Sequence, residues 1–257
     1  FRDWYLLPMA ASIWSSPRSE ILDFPLPAFL RFCHNHGLLQ IFDRPQWRTV
    51  AGGARTYVEK IVATLPDVRV ATPVERIVRR RDGVTLFARG RGAESFDEVV
   101  LACHSDQALR LLAEPTVQEA RLLGAVRYQP NRVVLHTDPA LLPRARRAWS
   151  AWNYLATVDP SGARPVAVSY LINKLQPLPC RTPVVVTLNP PFEPAPHHVL
   201  REFEYAHPLL DARAVTALRS GAVAAVAARA LAVEDASSCG IVGCGLHGAW
   251  AARCLVA

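Results

Sequence analysis

Two glycine-containing stretches have residue types and spacing that could contact a cofactor. Gly52 and Gly53 stand immediately before an amphipathic segment, and adjacent glycines allow a backbone to approach a ligand at the entrance of a helix. Towards the other end of the chain, Gly243, Gly245 and His247 belong to a second glycine-rich stretch. Each stretch alone is also typical of an ordinary turn, so its meaning depends on the elements around it.

Other combinations of reactive residues are less informative. Cys239, Cys244, His247 and Cys254 are metal-binding types, but their spacing is irregular and lacks the paired C-x-x-C of zinc sites, so no metal is predicted. The HNH sequence at 34–36 lies on a short predicted helix without a metal-binding context, which disfavours a nuclease. No G-x-S-x-G turn supports a serine hydrolase.

The segment from Arg44 to Cys103 has the element order of a nucleotide-cofactor domain. Its pattern predicts the Gly-Gly turn, then a helix over 54–65, a strand over 68–71, and a hairpin of strands 74–80 and 84–88. The continuous apolar run Val99–Ala102 predicts a further strand, buried on both faces. Two short helices follow, the first capped by Ser105.

Helices and an antiparallel sheet are predicted on either side of this segment. Residues 1–22 predict two helices around a turn at 15–17, with Trp4, Leu7, Ala11 and Trp14 on one apolar face. Another helix has Pro27 in its first turn and ends at Gly37. Strand-like segments separated by turn residues then favour an antiparallel meander over 132–137, 148–157, 165–172, 183–188 and 199–205. An Ala-rich helix over 211–233 precedes the tail, and the fold class is α/β with mixed α+β character.

Composition limits the classes of partner and compartment. The chain has 257 residues, 51% of them hydrophobic, which is enough for a sizeable core. The net charge is +7 and comes almost wholly from arginine, but no continuous basic face or docking motif predicts nucleic-acid binding. Attraction to an anionic membrane surface or an acidic substrate is left open. The six scattered cysteines favour a reduced, cytoplasmic setting.

A family resemblance links these elements. The run from Gly52-Gly53 through 72–77 to 97–102 resembles the flavin-containing amine oxidase superfamily, which includes monoamine and polyamine oxidases and phytoene desaturase-like enzymes. The chain is more closely similar to bacterial predicted NAD/FAD-binding, amine oxidase-like proteins. The motifs that carry this similarity are Tyr5–Ala11, Arg31–Leu39, Arg44–Trp47, Val134–Asp138, Trp152–Tyr154, Asn173–Gln176 and Tyr205–Pro208.

The resemblance implies part of a two-domain FAD-binding fold, with an antiparallel sheet in the substrate domain. The implied divisions are 1–43, helical part of the substrate domain; 44–113, partial FAD-binding domain; 114–210, substrate domain with its sheet; and 211–257, a C-terminal helix and a divergent FAD-binding tail. FAD is the implied cofactor. Its implied contacts are Gly52, Gly53, Val74 beside the adenine, Gly243, Gly245 and His247.

The chain departs from the family pattern at three places. The family begins with a strand, a G-x-G-x-x-G turn and a helix that hold the dinucleotide, and we expect this chain to be a fragment without that segment. Trp250 stands where the family has a glycine against the cofactor. The lysine that holds a water near the flavin in amine oxidases is absent from the strand beginning at Pro130, and Arg132 there stays charged. No catalytic residue is therefore predicted.

The implied function is that of an FAD-dependent oxidoreductase, which transfers a hydride from a substrate C–H to flavin N5. Trp47, Trp152 and Tyr154 are predicted to line the substrate pocket, with core packing as the alternative. A small-molecule or lipid-like substrate is expected, either an amine, a polyene or an acyl chain. The alternative from another class is a non-catalytic remnant that binds no flavin by itself. Neither electron acceptor nor oligomeric state follows from the sequence.

Overall fold

The computed structural model describes residues 1–40, 42–43, 45–155, 166–215 and 239–243. The chain divides into two compact units. The first comprises Phe1–Gly53 and Arg127–Val215, and the second comprises Ala54–Val126 with Thr216–Ala257. Of the last segment only the strand at 239–243 is described. The assignment of cofactor and substrate roles to particular segments stays a prediction.

Both units contain helices and strands. The described helices are α1 (Leu7–Trp14), α2 (Arg18–Ile21), α3 (Leu26–Asn35), α4 (Arg55–Val62), α5 (Ser105–Leu111), α6 (Val117–Leu123) and α7 (Ile172–Leu175). The described strands are β1 (Val74–Arg80), β2 (Gly83–Ala88), β3 (Ala93–Phe96), β4 (Glu98–Ala102), β5 (Arg127–His136), β6 (Trp152–Leu155), β7 (Ala167–Leu171), β8 (Val185–Leu188), β9 (Val199–Leu209) and β10 (Cys239–Gly243). No helix among them is long and apolar enough to cross a membrane.

The first unit is built on a five-stranded antiparallel sheet. Its strand order is β6-β7-β8-β5-β9, with the long β5 paired to β8 on one side and β9 on the other. The antiparallel sheet is thus confirmed. The order differs from a simple meander because β5 lies between two strands that follow it much later in the sequence.

Helix α1 packs its small residues against this sheet. Ala10 and Ala11 are buried in a cluster with Ile21, Val166 and Val168, since alanine allows a helix backbone to approach a strand closely. Trp4 is instead 88% exposed, so its predicted place on the same face is wrong. The reason is local: residues Arg2–Leu6 form a π-helical turn, whose wider hydrogen-bond spacing rotates Trp4 away from the α-helical face.

Helix α3 begins and ends as the sequence predicts. Pro27 lies in its first turn and Cys33 is its buried residue. Gly37 follows the helix with a φ of 62°, and a Cβ at this position would lie 2.6 Å from Cδ of Pro45. Glycine is therefore required both by the backbone conformation and by the space.

A row of buried polar side chains crosses the sheet of the first unit. The Asp138 backbone N–H donates to Nδ1 of His136 at 3.1 Å, so Nε2 carries the proton and donates to Oγ1 of Thr187 at 2.7 Å. The Thr187 hydroxyl contacts Oγ of Ser169 at 2.7 Å, and Nδ2 of Asn153 donates to the Ser169 carbonyl at 3.1 Å. Burial lowers the pKa of His136, which keeps the ring neutral.

The second unit contains a smaller antiparallel sheet with the order β1-β2-β3. The predicted hairpin is present, and Gly83 at its turn has a φ of 144° with no room for a Cβ beside the Phe96 carbonyl. Ile77 and Leu86 form the buried part of the core. Helix α6 begins with a capping box in which Thr116 and Glu119 satisfy each other's backbone N–H groups.

Two strand predictions in the second unit are wrong in detail. Residues 68–71 form no strand, and Val70 is 84% exposed, because none of the described strands pairs with this segment. Strand β4 is present, but its residues are half-buried and not buried on both faces. The helix predicted over 211–233 lies beyond the described residues after Val215.

Candidate functional site

The Gly-Gly turn lies at the end of the first segment of the first unit, just before α4. The Gly53 N–H donates to the Val50 carbonyl at 3.0 Å, and Gly52 and Gly53 have φ values of 80° and 82°. These positive values are those that glycine adopts without strain. A Cβ at Gly53 would meet only Oε1 of Gln176, at 3.7 Å. The turn therefore presents an open backbone surface, as close contact with a ligand requires.

Val74, predicted beside the adenine, is the first residue of β1 in the second unit. Its side chain packs against the Ile77–Leu86 cluster, and the strand register shifts between Val74 and Arg76. Since the side chain turns into the core, a ligand beside this residue would meet its backbone. That is the kind of contact implied by the family resemblance.

The carboxyl edge of a parallel strand pair is the second feature of the same unit. Strand β10 pairs in parallel with β4, with Gly243 opposite Ala102. Ligands of α/β proteins bind at the carboxyl ends of parallel strands, so Gly243 stands at an edge suited to a cofactor. The remaining predicted contacts of this tail, Gly245 and His247, lie outside the described residues.

The glycine spacing after β10 carries a signal that sequence reasoning missed. Gly243, Gly245 and Gly248 have the spacing G-x-G-x-x-G, and the strand Cys239–Gly243 leads into it. Such a fingerprint binds a dinucleotide when a strand precedes it and a helix follows; the strand is described here, and the residues after Gly243 lie outside the described part of the chain. The sequence signal for this arrangement was the apolar run of β4, because such runs are typical of strands in parallel sheets.

Asp106 is a further residue that sequence reasoning did not single out. It lies in the first turn of α5, which follows β4 after two connecting residues. Its Oδ2 accepts a hydrogen bond from Arg110, whereas Oδ1 is buried and has no hydrogen-bond partner among the residues that the structure describes. A buried carboxylate oxygen without a donor is costly. A ligand hydroxyl or N–H group at this place would satisfy it.

The three aromatic residues predicted to line a substrate pocket have different surroundings. Trp47 is 70% exposed and stacks on His36 with ring centroids 6.1 Å apart. Tyr154 packs against the core beneath α1, the alternative considered for it. Trp152 is partly exposed and meets the ring of Tyr170 edge-on at 5.4 Å. The pocket that they would form together stays a prediction.

Arg132 lies on β5, the strand on which a lysine was sought and not found, and ion pairs hold its side chain in place. Its guanidinium contacts Glu193 at 2.7 Å and Glu202 at 3.0 Å. Donating hydrogen bonds to these carboxylates raises the pKa of Arg132 further above its ordinary value. The group stays charged and cannot exchange protons with a substrate.

Candidate metal ligands do not cluster in the part of the chain that the structure describes. His36 of the HNH sequence has Nδ1 2.8 Å from the Phe32 carbonyl, and His34 is exposed. Cys33 is buried and unbonded, and burial raises the pKa of its thiol. Of the tail's metal-binding types, Cys244, His247 and Cys254 lie outside the described residues.

Comparison with protein families identifies the class to which these elements belong. Residues 4–169, more than half of the chain, match the family model described as flavin containing amine oxidoreductase. The chain therefore belongs to that family. A second model, of the ornithine cyclodeaminase/mu-crystallin family, matches residues 198–256. No curated protein matches the chain significantly.

Solved structures similar to the chain are distant from it in sequence. A protein assigned as a protoporphyrinogen oxidase, from Exiguobacterium sp. 255-15, has a TM-score of 0.51 and 12% identity, covering 90% of this chain and 57% of that one. The CLA-producing fatty acid isomerase from P. acnes has a TM-score of 0.46 and 14% identity, with coverages of 79% and 51%. A putrescine oxidase variant has a TM-score of 0.38 and 12% identity, with coverages of 53% and 29%. The chain spans about half the length of the first two.

Proposed function

We propose that this chain is part of an FAD-dependent oxidoreductase that removes a hydride from a substrate C–H bond. The observation that carries the proposal is the family match over residues 4–169. FAD would supply the redox chemistry when bound, since its flavin ring accepts the hydride. The chain's own residues would bind and orient the cofactor and the substrate.

Each unit, considered separately, has residues suited to contact a dinucleotide. In the first unit, Gly52 and Gly53 offer an open backbone turn. In the second, Val74 turns its side chain away into the core and Gly243 stands at the carboxyl end of a parallel pair. We assign to Gly245 and His247 the next contacts along the tail, as the family resemblance implies.

The unpartnered oxygen of Asp106 supports a polar ligand beside β4. A carboxylate at this edge is suited to accept a hydrogen bond from a hydroxyl group, such as those of a ribose. We assign Asp106 to this role as a binding residue. Arg132 has no part in proton transfer because it stays charged between Glu193 and Glu202.

The substrate proposed is a small molecule or a lipid-like compound, and Trp47 and Trp152 are its proposed contacts. Both rings are partly or largely exposed in the first unit, so they are accessible to a ligand. Each carries a large apolar face suited to an amine substituent, a polyene or an acyl chain. Replacing either ring by alanine in an active preparation should raise KM more than it changes kcat.

Uptake of flavin by the purified chain tests the proposed function. We expect added FAD to co-elute with the protein and to show the flavin absorbance bands. Asp106→Asn should weaken FAD binding roughly tenfold, because a hydrogen bond to a charged acceptor is replaced by a weaker one. Asp82→Asn, in the exposed β1–β2 turn, is the matched control and should bind like the wild type.

Two results would contradict the proposal. A folded, colourless protein that takes up no flavin would favour the alternative, a non-catalytic chain that binds no flavin by itself. Equal FAD binding by the Asp106→Asn and Asp82→Asn variants would remove Asp106 from the site while leaving the family-based proposal intact.

A further inference from the structure

Two loops of the first unit meet at one end of its five-stranded sheet. The β5–β6 loop (137–151) and the β7–β8 segment (172–184) both start and finish at this end. Strand pairing shows this, because Val185 lies opposite both His136 and Leu171, while Trp152 lies opposite Tyr170. We refer to the surface formed by residues 137–152 and 172–184 as the basic end.

The basic end carries cations without exposed acids. Its five basic side chains are all exposed: Arg144, Arg146, Arg147, Lys174 and Arg181. The only acidic residue in these two stretches is Asp138. Its side chain is buried and accepts hydrogen bonds from the Ala140 and Ala195 backbone N–H groups at 2.9 Å each. Hence the exposed charge of the basic end is of one sign.

Hydrogen bonds and packing hold the two loops in a fixed arrangement. Nζ of Lys174 donates to the Trp149 carbonyl, and the Leu171 N–H donates to the Ala151 carbonyl at 2.9 Å. Trp149 packs on the buried cluster of Leu142, Leu171 and Val185. The cations therefore project from a well-supported surface, so that little ordering is needed when they meet a partner.

Apolar side chains lie among these cations. Trp152 is 47% exposed and Leu175 is 36% exposed, both within the basic end. Arg146 lies over the ring of Trp149, 5.3 Å from its centroid, which places a guanidinium beside an aromatic surface. Tryptophan and leucine next to arginine and lysine are the composition of surfaces that lie at the boundary between lipid headgroups and acyl chains.

We propose that the basic end docks on the surface of an anionic phospholipid bilayer. The cations would face the headgroups, and Trp152 and Leu175 would enter the interface between them. Charge complementarity carries this choice, because clusters of four to eight basic residues are attracted to anionic lipid surfaces. The exposed aliphatic Leu175 favours a bilayer over a nucleic acid, because proteins recognise unpaired bases mainly with aromatic, arginine and hydrogen-bonding side chains.

This inference shares Trp152 with the proposed substrate contacts, but it can be tested separately from the proposed function. The basic end lies wholly in the first unit, and docking through it requires no flavin. A chain that takes up FAD without binding vesicles would overturn the inference alone. A chain that binds vesicles without taking up FAD would contradict the proposed function alone.

Sedimentation with lipid vesicles tests the docking surface. The purified chain should sediment with vesicles of phosphatidylcholine mixed with phosphatidylglycerol, and not with phosphatidylcholine alone. Raising the salt concentration should release it, because screening weakens attraction between exposed charges. The triple variant Arg144→Glu, Arg147→Glu, Arg181→Glu should bind at least roughly a hundredfold more weakly, since each cation contributes about fivefold.

A variant with the same change in net charge is the matched control. Arg31→Glu, Arg81→Glu, Arg121→Glu replaces three exposed arginines outside the basic end. It should weaken vesicle binding far less than the first triple variant, and circular dichroism should show that both variants fold. Leu175→Asn should reduce binding severalfold while leaving its salt dependence unchanged.

Three outcomes would overturn the inference. Equal binding to neutral and anionic vesicles would remove the electrostatic basis. Equal losses in the two triple variants would show attraction by net charge alone. Tighter binding to single-stranded RNA than to anionic vesicles, abolished by the first triple variant, would reassign the basic end to nucleic acid.

Discussion

The two units differ in how completely each buries its own core. In the first unit, Val134, Leu141 and Val185 have no exposed side-chain surface. In the second, Ile77 and Leu86 are the buried pair of the hydrophobic cluster, and the apolar residues of β4 are only half-buried. Side chains that are fully enclosed contribute more to stability than those at a surface. The stability of the chain therefore depends mainly on the first unit, while the proposed dinucleotide edge belongs to the less enclosed second unit.

The hydrogen bonds of buried polar side chains also differ between the two units. The first unit encloses His136, Ser169 and Thr187 in one hydrogen-bonded row. In the second unit, the buried hydroxyl of Thr85 has longer contacts, 3.3 Å to Arg80 and 3.4 Å to Ser95. A fully paired polar row fixes the register of its strands, because any shift would leave buried groups unpaired. The sheet of the first unit is thus specified by polar as well as apolar contacts.

The largest expected effect comes from emptying the enclosed core. Leu141→Ala should lower the free energy of unfolding by about 3 kcal/mol, because it leaves a cavity where the leucine was fully buried. Leu111→Ala, at a half-buried site in the second unit, should cost about 1 kcal/mol. Urea denaturation followed by circular dichroism measures both. Equal costs would contradict the difference drawn between the units.

A smaller effect is expected from interrupting the polar row. Thr187→Val keeps the side-chain shape but leaves Nε2 of His136 without an acceptor, and should cost about 2 kcal/mol. Thr85→Val in the second unit should cost less than about 1 kcal/mol, because its contacts are longer. The free energies of unfolding come from the same denaturant titrations. A Thr187→Val variant as stable as the wild type would show that the row contributes nothing.

The pH dependence of stability should be determined largely by His136, a buried residue of the first unit. Burial lowers the pKa of His136, whereas the unfolded chain binds a proton at the ordinary value of about 6.5. Below this pH the unfolded state takes up a proton that the folded state does not. Stability should therefore be lost as pH falls below about 6.5, by at most about 1.4 kcal/mol per pH unit.

Denaturation midpoints between about pH 8 and about pH 5 measure this loss. His136→Gln should flatten the profile, while His34→Gln, at an exposed position of α3, should keep the wild-type profile. Asp138 and Asp211 have lowered pKa values, so their stabilising contribution is lost only at pH values below about 4. A loss confined to that acidic range would contradict the role given to His136.

The smallest effect is expected from removing the capping box of α6 in the second unit. Thr116→Ala removes the side-chain half of the α6 capping box and should cost about 1 kcal/mol. Thr64→Ala, whose hydroxyl contacts the Ile61 carbonyl on the surface, should cost less than about 0.5 kcal/mol. Hydrogen exchange of the α6 amides measures the local effect. Unchanged exchange in Thr116→Ala would mean that packing alone holds α6.

Local patterns were sufficient to predict most elements of the fold. The Arg81-Asp82-Gly83 turn, the start of α3 at Pro27 and its end at Gly37 all depend on backbone preferences of single residues. The turn residues that separate the later strand-like segments predicted an antiparallel sheet, and that sheet is present. Sequence reasoning failed at 68–71, where propensity favoured a strand but no strand of the described ranges pairs with it.

The candidate site was predictable only in part, because its features depend on contacts between distant segments. The Gly-Gly turn and Val74 follow from local motifs and the family resemblance. The parallel pairing that places Gly243 opposite Ala102 joins segments far apart in the sequence. The unpartnered oxygen of Asp106 depends on burial that no local pattern reveals. Trp47, Trp152 and Tyr154 were predicted together as pocket residues. Only the structure distinguishes the exposed Trp47 and Trp152 from the packed Tyr154.

The parallel pair of β4 and β10 imposes an order on the synthesis of this protein. Strand β4 leaves the ribosome long before its partner, because the whole sheet of the first unit is encoded between them. At typical translation rates, β4 waits on the order of ten seconds for β10 to emerge. During that interval Val99–Ala102 lack the only strand that pairs with them in the described part of the chain. Production of this protein should therefore be sensitive to chaperone supply and to translation speed, even when the finished chain is stable.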